Sequence, residues 1–134
     1  MKNTVLIMAA LCLLLPLHVM AADEDGEAVA PVTVYHELKP ALVVNLKGKK
    51  RYLRAEVQLM AKGRDVIDEV IQHEPAIRHE LLLMYSDLVF RDISTVEGQN
   101  RLRQDTLQVV QDLLRDLTGR PGIKAIYFTK FLTQ

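Results

Sequence analysis

The sequence predicts an α+β domain: a mainly antiparallel sheet with helices packed on one face, behind an N-terminal signal or anchor segment. Three observations carry this reading. Two extended segments open the domain. Helix-periodic stretches fill its middle. One last β-rich stretch, GIKAIYFTKFLTQ, occupies residues 122–134.

Residues 1–22, MKNTVLIMAALCLLLPLHVMAA, are a different material: one lysine, an apolar run from Val5 to Leu17, then small residues. Val19-Met20-Ala21 fits a signal-peptidase site, with cleavage after Ala21 or Ala22. The rival reading is a retained membrane anchor, since residues 4–22 approach the ~20 apolar residues that cross a bilayer. Pro16 and His18 weaken a permanent span, and Leu11 is too bulky to precede a lipidated Cys12. Cleavage removes Lys2 and no acid, leaving 16 basic against 17 acidic residues and a mature charge of −1. It also removes Cys12, the single cysteine, and with it any disulfide, thiolate metal site or cysteine nucleophile.

Residues 23–33, DEDGEAVAPVT, read as an acidic linker without periodicity. The domain follows at residues 34–134. A short extended segment runs to Pro40, and an apolar strand covers residues 41–46. KGKK reads as a turn, with Gly48 able to take positive φ. RYLRAEVQLMA then alternates, with Leu53, Ala55, Val57 and Leu59 on one face and Arg54, Glu56 and Gln58 on the other. The two segments and their loop predict an antiparallel hairpin.

Val66, Ile67, Val70 and Ile71 recur at helical spacing, and Pro75 is expected to end that helix and start another. The second helix has a stripe of Ile77, Leu81, Met84 and Leu88, widened by Leu82, Leu83, Tyr85 and Val89. STVE at residues 94–97 has capping-box spacing with Ser94 as the cap. The third helix runs to about Leu117 on a seam of Leu102, Thr106, Val109, Leu113 and Leu117, with Val110 and Leu114 beside it. Gly119 stops it, and Pro121 prevents its return.

In the last strand, Ile126, Phe128 and Leu132 are expected to point one way and Tyr127, Thr129 and Phe131 the other. Both faces are apolar, so the strand is expected to lie inside the sheet or to meet another subunit. Tyr127, Thr129 and Phe131 are therefore the candidate self-association or partner face. The other cover for that face is residues 34–38 folding across it.

The chain contains no catalytic constellation. His73 and His79 are six apart and fall on different sides of a helix. HExxH spacing, a G-x-S-x-G elbow and a phosphate-binding glycine loop are all absent from the sequence. The 17 basic residues balance the 17 acidic ones, and there is no tryptophan. That composition argues against nucleic-acid binding, which shows a basic excess or stacking aromatics. Lys47, Lys49, Lys50, Arg51 and Arg54 form the one charged concentration. It reads as a docking patch for an acidic partner or lipid headgroups, or as a solvated hairpin tip.

Residues 35–134 resemble the FliL family of flagellar basal-body-associated proteins. The resemblance is carried in order by YHELKPALVVNL, by RYLRAEVQLMA, and by the helical part from EPAIRHELLL through Gly98 and Leu102. The terminal IKAIYFTKFLTQ, with Phe128-Thr129-Lys130-Phe131 and Gln134, is its most specific element. The resemblance implies a non-enzymatic protein without a cofactor, whose domain is of the stomatin/prohibitin type. It implies a place on the periplasmic side of the bacterial inner membrane, at the basal body. It also implies association with stator units of the MotA/MotB type, homo-oligomeric rings, and support of flagellar rotation and motility. Family members carry a basic cytoplasmic tail before an uncleaved membrane helix, whereas only Met1-Lys2-Asn3 precede the apolar run here. The chain is thus expected either to keep a minimal anchor or to be a cleaved periplasmic relative. The alternative function is a monomeric periplasmic α+β binding or inhibitor module unrelated to the flagellum.

Overall fold

The computed structural model describes residues 29–48 and 50–134. The expected signal or anchor segment, most of the acidic linker, and Lys49 lie outside the described residues.

The strands β1 (Thr33–Glu37), β2 (Leu42–Asn45) and β3 (Tyr52–Lys62) come first. The helices α1 (Arg64–Ser86), α2 (Phe90–Ile93) and α3 (Val96–Thr118) follow, and β4 (Ile123–Thr133) is last. The sheet is antiparallel throughout and is organised on β3. β4 runs along one edge of β3, from Leu53↔Thr133 to Ala61↔Ile123. β1 and β2 lie end to end along the other edge, β1 opposite residues 58–62 and β2 opposite residues 52–55. The expected hairpin is therefore β2–β3, with Gly48 at φ 92° in its turn. Among the described residues β4 has one strand neighbour and is an edge strand, not an internal one.

Alternation in β3 sets the two faces. Leu53, Ala55, Val57, Leu59 and Ala61 are all fully buried, while Tyr52, Arg54 and their alternates face outward. The helices cover the inner face: α1 packs on β1, β2 and β3, and α3 packs on α1 and β4. Leu38, Leu42, Ile77, Leu81, Tyr85, Val110, Leu114, Ile123 and Ile126 are among the residues that join the inward residues of β3 in the core.

α1 departs from expectation. It is one helix of 23 residues that passes through Pro75. Proline inside a helix removes one hydrogen bond and costs about 3 kcal/mol. The helix survives because both halves bury one shared stripe: Val66, Ile67 and Val70 before the proline, Ile77, Leu81 and Tyr85 after it. Ile71 and Pro75 lie on the solvent side, where the carbonyl that the ring leaves unpaired is open to water. Leu83 does not widen the stripe; it is exposed, and Met84 is only half-buried.

α3 is capped one residue later than expected. Ser94 has helical backbone angles because it closes α2, and its hydroxyl donates to the Arg91 carbonyl at 3.1 Å. Thr95 is extended, as a cap must be, and its hydroxyl accepts from the Gly98 N–H at 3.0 Å. The buried seam is also rotated. Gly98, Leu102, Thr106, Val110 and Leu114 are buried, Val109 and Leu113 only half-buried, and Leu117 exposed. Steps of four advance about 40° around a 3.6-residue helix, so this seam winds. It winds because the neighbour changes along α3. At Gly98 the helix meets α2, at Thr106 it meets α1, and by Gln111 it meets the start of β4. Gln111 is no bystander: its Nε2 donates to the Ile123 carbonyl at 2.8 Å. Gly119 ends the helix in the left-handed conformation at φ 82°, as expected.

Candidate functional site

Two surfaces carry the residues singled out in the sequence, and the fold divides each group.

The first is the outer face of the sheet. β4 pairs Lys130 with Glu56 but Phe128 with Val57, so Thr129 is an extra residue at a bulge. Its hydroxyl donates to the Glu56 carbonyl at 3.3 Å. The bulge reverses the alternation beyond it. Phe131 turns inward opposite Ala55, with its ring centroid 5.2 Å from that of Phe128, and Leu132 turns outward. The expected Tyr127–Thr129–Phe131 face therefore does not exist. Of the three, Tyr127 alone is an outward aromatic. Its hydroxyl contacts the Met60 sulfur at 3.9 Å, and its ring lies 6.3 Å from that of Tyr35. β1 lies in the sheet at the opposite edge and does not fold across β4. At the other end of the same outer face, Val43, Arg54 and Leu132 form a cross-strand row. The end of β4 is tied there: the Tyr52 and Gln134 backbones exchange two hydrogen bonds, and the Tyr52 hydroxyl donates to Gln134 Oε1 at 2.5 Å.

The second surface is the β2–β3 turn. Arg54 leaves the cluster, because it sits on the outer sheet face beside Glu56 at 3.2 Å. Lys47 and Arg51 instead converge on a cleft of about 410 Å³, which they line with Leu46, Val89, Phe90 and Arg91. Lys50 is exposed beside it. The extended connection from α1 to α2 builds the opposite wall. The Lys47 N–H donates to the Leu88 carbonyl at 2.9 Å, and Lys47 bridges Val89 as a single parallel pair. The Arg51 guanidinium stacks over the Phe90 ring at 3.9 Å, a cation–π contact. Lys47 pairs with Asp87 at 2.7 Å and Arg91 with Asp92 at 3.6 Å. Phe90 and Arg91 are missing from any sequence-level reading of this patch. They lie some forty positions away, and only the docking of α2 beside the turn brings them in.

Elsewhere the polar chemistry is structural. Arg120 holds Asp65 at 2.8 Å and Glu69 at 2.9 Å, fastening the α3–β4 connection to the start of α1. That hydrogen bond lowers the Asp65 carboxyl below its ordinary range. His36 Nε2 meets Glu74 Oε2 at 2.8 Å, fixing β1 to α1. Among the described residues no group of His, Cys, Asp and Glu is placed to hold a metal ion. No described helix is long and apolar enough to cross a membrane.

Fold and surfaces define a small α+β domain that offers exposed sheet and turn surfaces, with several of its ionisable groups used in structural pairs. Residues 35–134 match the family described as flagellar basal body-associated protein FliL, and the chain belongs to that family. It is 30% identical over 110 residues to the flagellar protein FliL of Aquifex aeolicus (strain VF5). The match covers 79% of this chain and 66% of that protein, so the chain spans just under two thirds of its relative's length. The family is one of flagellar accessory proteins, not a known enzyme family.

Proposed function

We propose that the chain is a non-enzymatic accessory of the flagellar motor, acting on the periplasmic side of the inner membrane. In this reading it associates with stator units of the MotA/MotB type, assembles as a homo-oligomeric ring, and supports rotation. Its α+β core is then of the stomatin/prohibitin type, carried behind an N-terminal segment that is cleaved or serves as anchor. The observation that supports the reading is the family match, which spans the folded domain almost from end to end, from Tyr35 to Gln134.

A deletion strain complemented with the full chain tests this. The expected result is reduced swimming or swarming on deletion, restoration by the chain, and a fluorescent fusion that collects at flagellar bases only when stator units are present. Normal motility on deletion, with a diffuse fusion, would favour a periplasmic binding or inhibitor module instead.

A further inference from the structure

We propose that the cleft between the β2–β3 turn and the α1–α2 connection receives the acidic segment, residues 23–27, of a second copy of this chain. The proposal rests on the self-association in the reading above and not on the stator contact.

The cleft is basic and partly unpaired. Lys47, Lys50, Arg51 and Arg91 surround it, against Asp87 and Asp92. Those two ion pairs are exposed, so water screens them and each carboxylate is readily exchanged. Among the described residues Arg51 has no carboxylate partner. Stacking on Phe90 holds its planar fork in place, which lowers the entropy lost when a carboxylate binds. The floor is apolar, made by Leu46, Val89 and Phe90.

The chain itself carries the complement. DEDGE at residues 23–27 places four carboxylates within five positions. Val29, 85% exposed, follows them and offers an apolar side chain to the floor.

Reach decides which copy supplies the segment. Thr33 pairs with Lys62 at one end of β3, and the turn adjoins Tyr52 at the other. Ten residue steps of a strand separate these ends by about 33 Å. The Val32 carbonyl accepts from the Gly63 N–H at 2.9 Å, which fixes the chain at the far end. Fully extended from Thr33, Glu27 reaches about 21 Å, Asp25 about 28 Å and Asp23 about 35 Å. Residues 25–27 fall short of their own cleft, and Asp23 spans the distance only with every intervening residue fully stretched. A neighbouring copy has no such limit. The contact joins one end of the domain to the opposite end of the next: repeated head to tail it is heterologous and propagates into a ring or filament, and exchanged reciprocally it closes a dimer.

The test uses two differently tagged full-length chains in a Cys12→Ser background, co-expressed in cells lacking stator units. One carries Asp25→Cys, the other Lys50→Cys. Under mild oxidation a disulfide-linked heterodimer is expected, with at least tenfold less from a control pair carrying Asp116→Cys in place of Lys50→Cys. Arg91→Glu on the cleft copy should cut the yield several-fold. Asp23→Lys with Glu24→Lys on the other copy should then restore it. Arg91 is 90% exposed, so its reversal leaves folding intact. Circular dichroism verifies this. The proposal is overturned by a heterodimer yield equal to the control, by a yield indifferent to charge reversal, or by cross-linking within one chain that carries both cysteines. Because stator units are absent, any of these results leaves the flagellar reading standing.

Discussion

The Tyr85 hydroxyl lies 2.9 Å from Thr106 Oγ1, and both side chains are fully buried where α1 meets α3. Thr106 donates its own proton to the Leu102 carbonyl at 2.7 Å, so Tyr85 is the donor of the pair. The two substitutions that break this bond are therefore unequal. Thr106→Val strands a buried hydroxyl and should cost about 1–3 kcal/mol. Tyr85→Phe leaves Thr106 satisfied by Leu102 and should cost about 0.5–1.5 kcal/mol. Urea denaturation of both variants measures the difference, and equal losses would mean that Tyr85 has another partner.

Burial also pushes the Tyr85 hydroxyl well above its ordinary value of 10.0, with the Thr106 bond opposing it weakly. The folded state keeps this proton at a pH where the unfolded chain releases it. Linkage then fixes the sign: the stabilising term is present in full below pH 10 and declines as pH rises beyond it. Alkaline unfolding of Tyr85→Phe should be shifted to higher pH relative to neutral-pH stability. A pH-scanned thermal melt, with absorbance at the tyrosinate band, reads both effects.

On α3, Leu114 is buried and Leu117 is 47% exposed. Leu114→Asp places a carboxylate in the core and should cost more than about 3 kcal/mol, a large part of a typical domain's stability. Leu117→Asp should cost less than about 1 kcal/mol. Thermal unfolding separates them, and similar melting points would show that the seam does not wind as described.

Gly98 faces the end of α2 so closely that a Cβ there would overlap the Asp92 carbonyl oxygen. That atom is backbone and cannot move aside cheaply. Gly98→Ala should cost about 1–3 kcal/mol by overpacking, against the usual gain from replacing a helical glycine. A melt in which alanine stabilises the protein would mean that α2 sits farther away.

The outer sheet face is best probed by Tyr127→Lys with Leu132→Lys, both outward-facing. This pair should leave the circular dichroism spectrum and melting point nearly unchanged, and any loss of self-association or motility then reports on the surface. Phe131→Lys should destabilise the protein by about 2 kcal/mol or more, since it removes packing against Phe128 and Ala55. A melt showing Phe131→Lys to be as mild as Tyr127→Lys would contradict the bulge at Thr129.

The sequence by itself determined the α+β class, the β2–β3 hairpin, the inward set from Leu53 to Leu59 and the glycine stop at Gly119. Each of these is local: an alternation of two, a helical period, or a residue that tolerates positive φ needs no distant partner to be read. The tertiary structure decided the rest. The register of β4 is set by β3, so the extra residue Thr129, and with it the turning of Phe131, cannot be read from β4 alone. Pro75 is tolerated because the sheet binds both halves of α1, an energy absent from any local rule. The winding seam of α3 follows from three successive neighbours, α2, α1 and β4. The cleft at Arg51 is completed by Phe90 and Arg91 for the same reason: it is formed by segments remote in sequence, which meet only when α1 and α2 dock beside the turn.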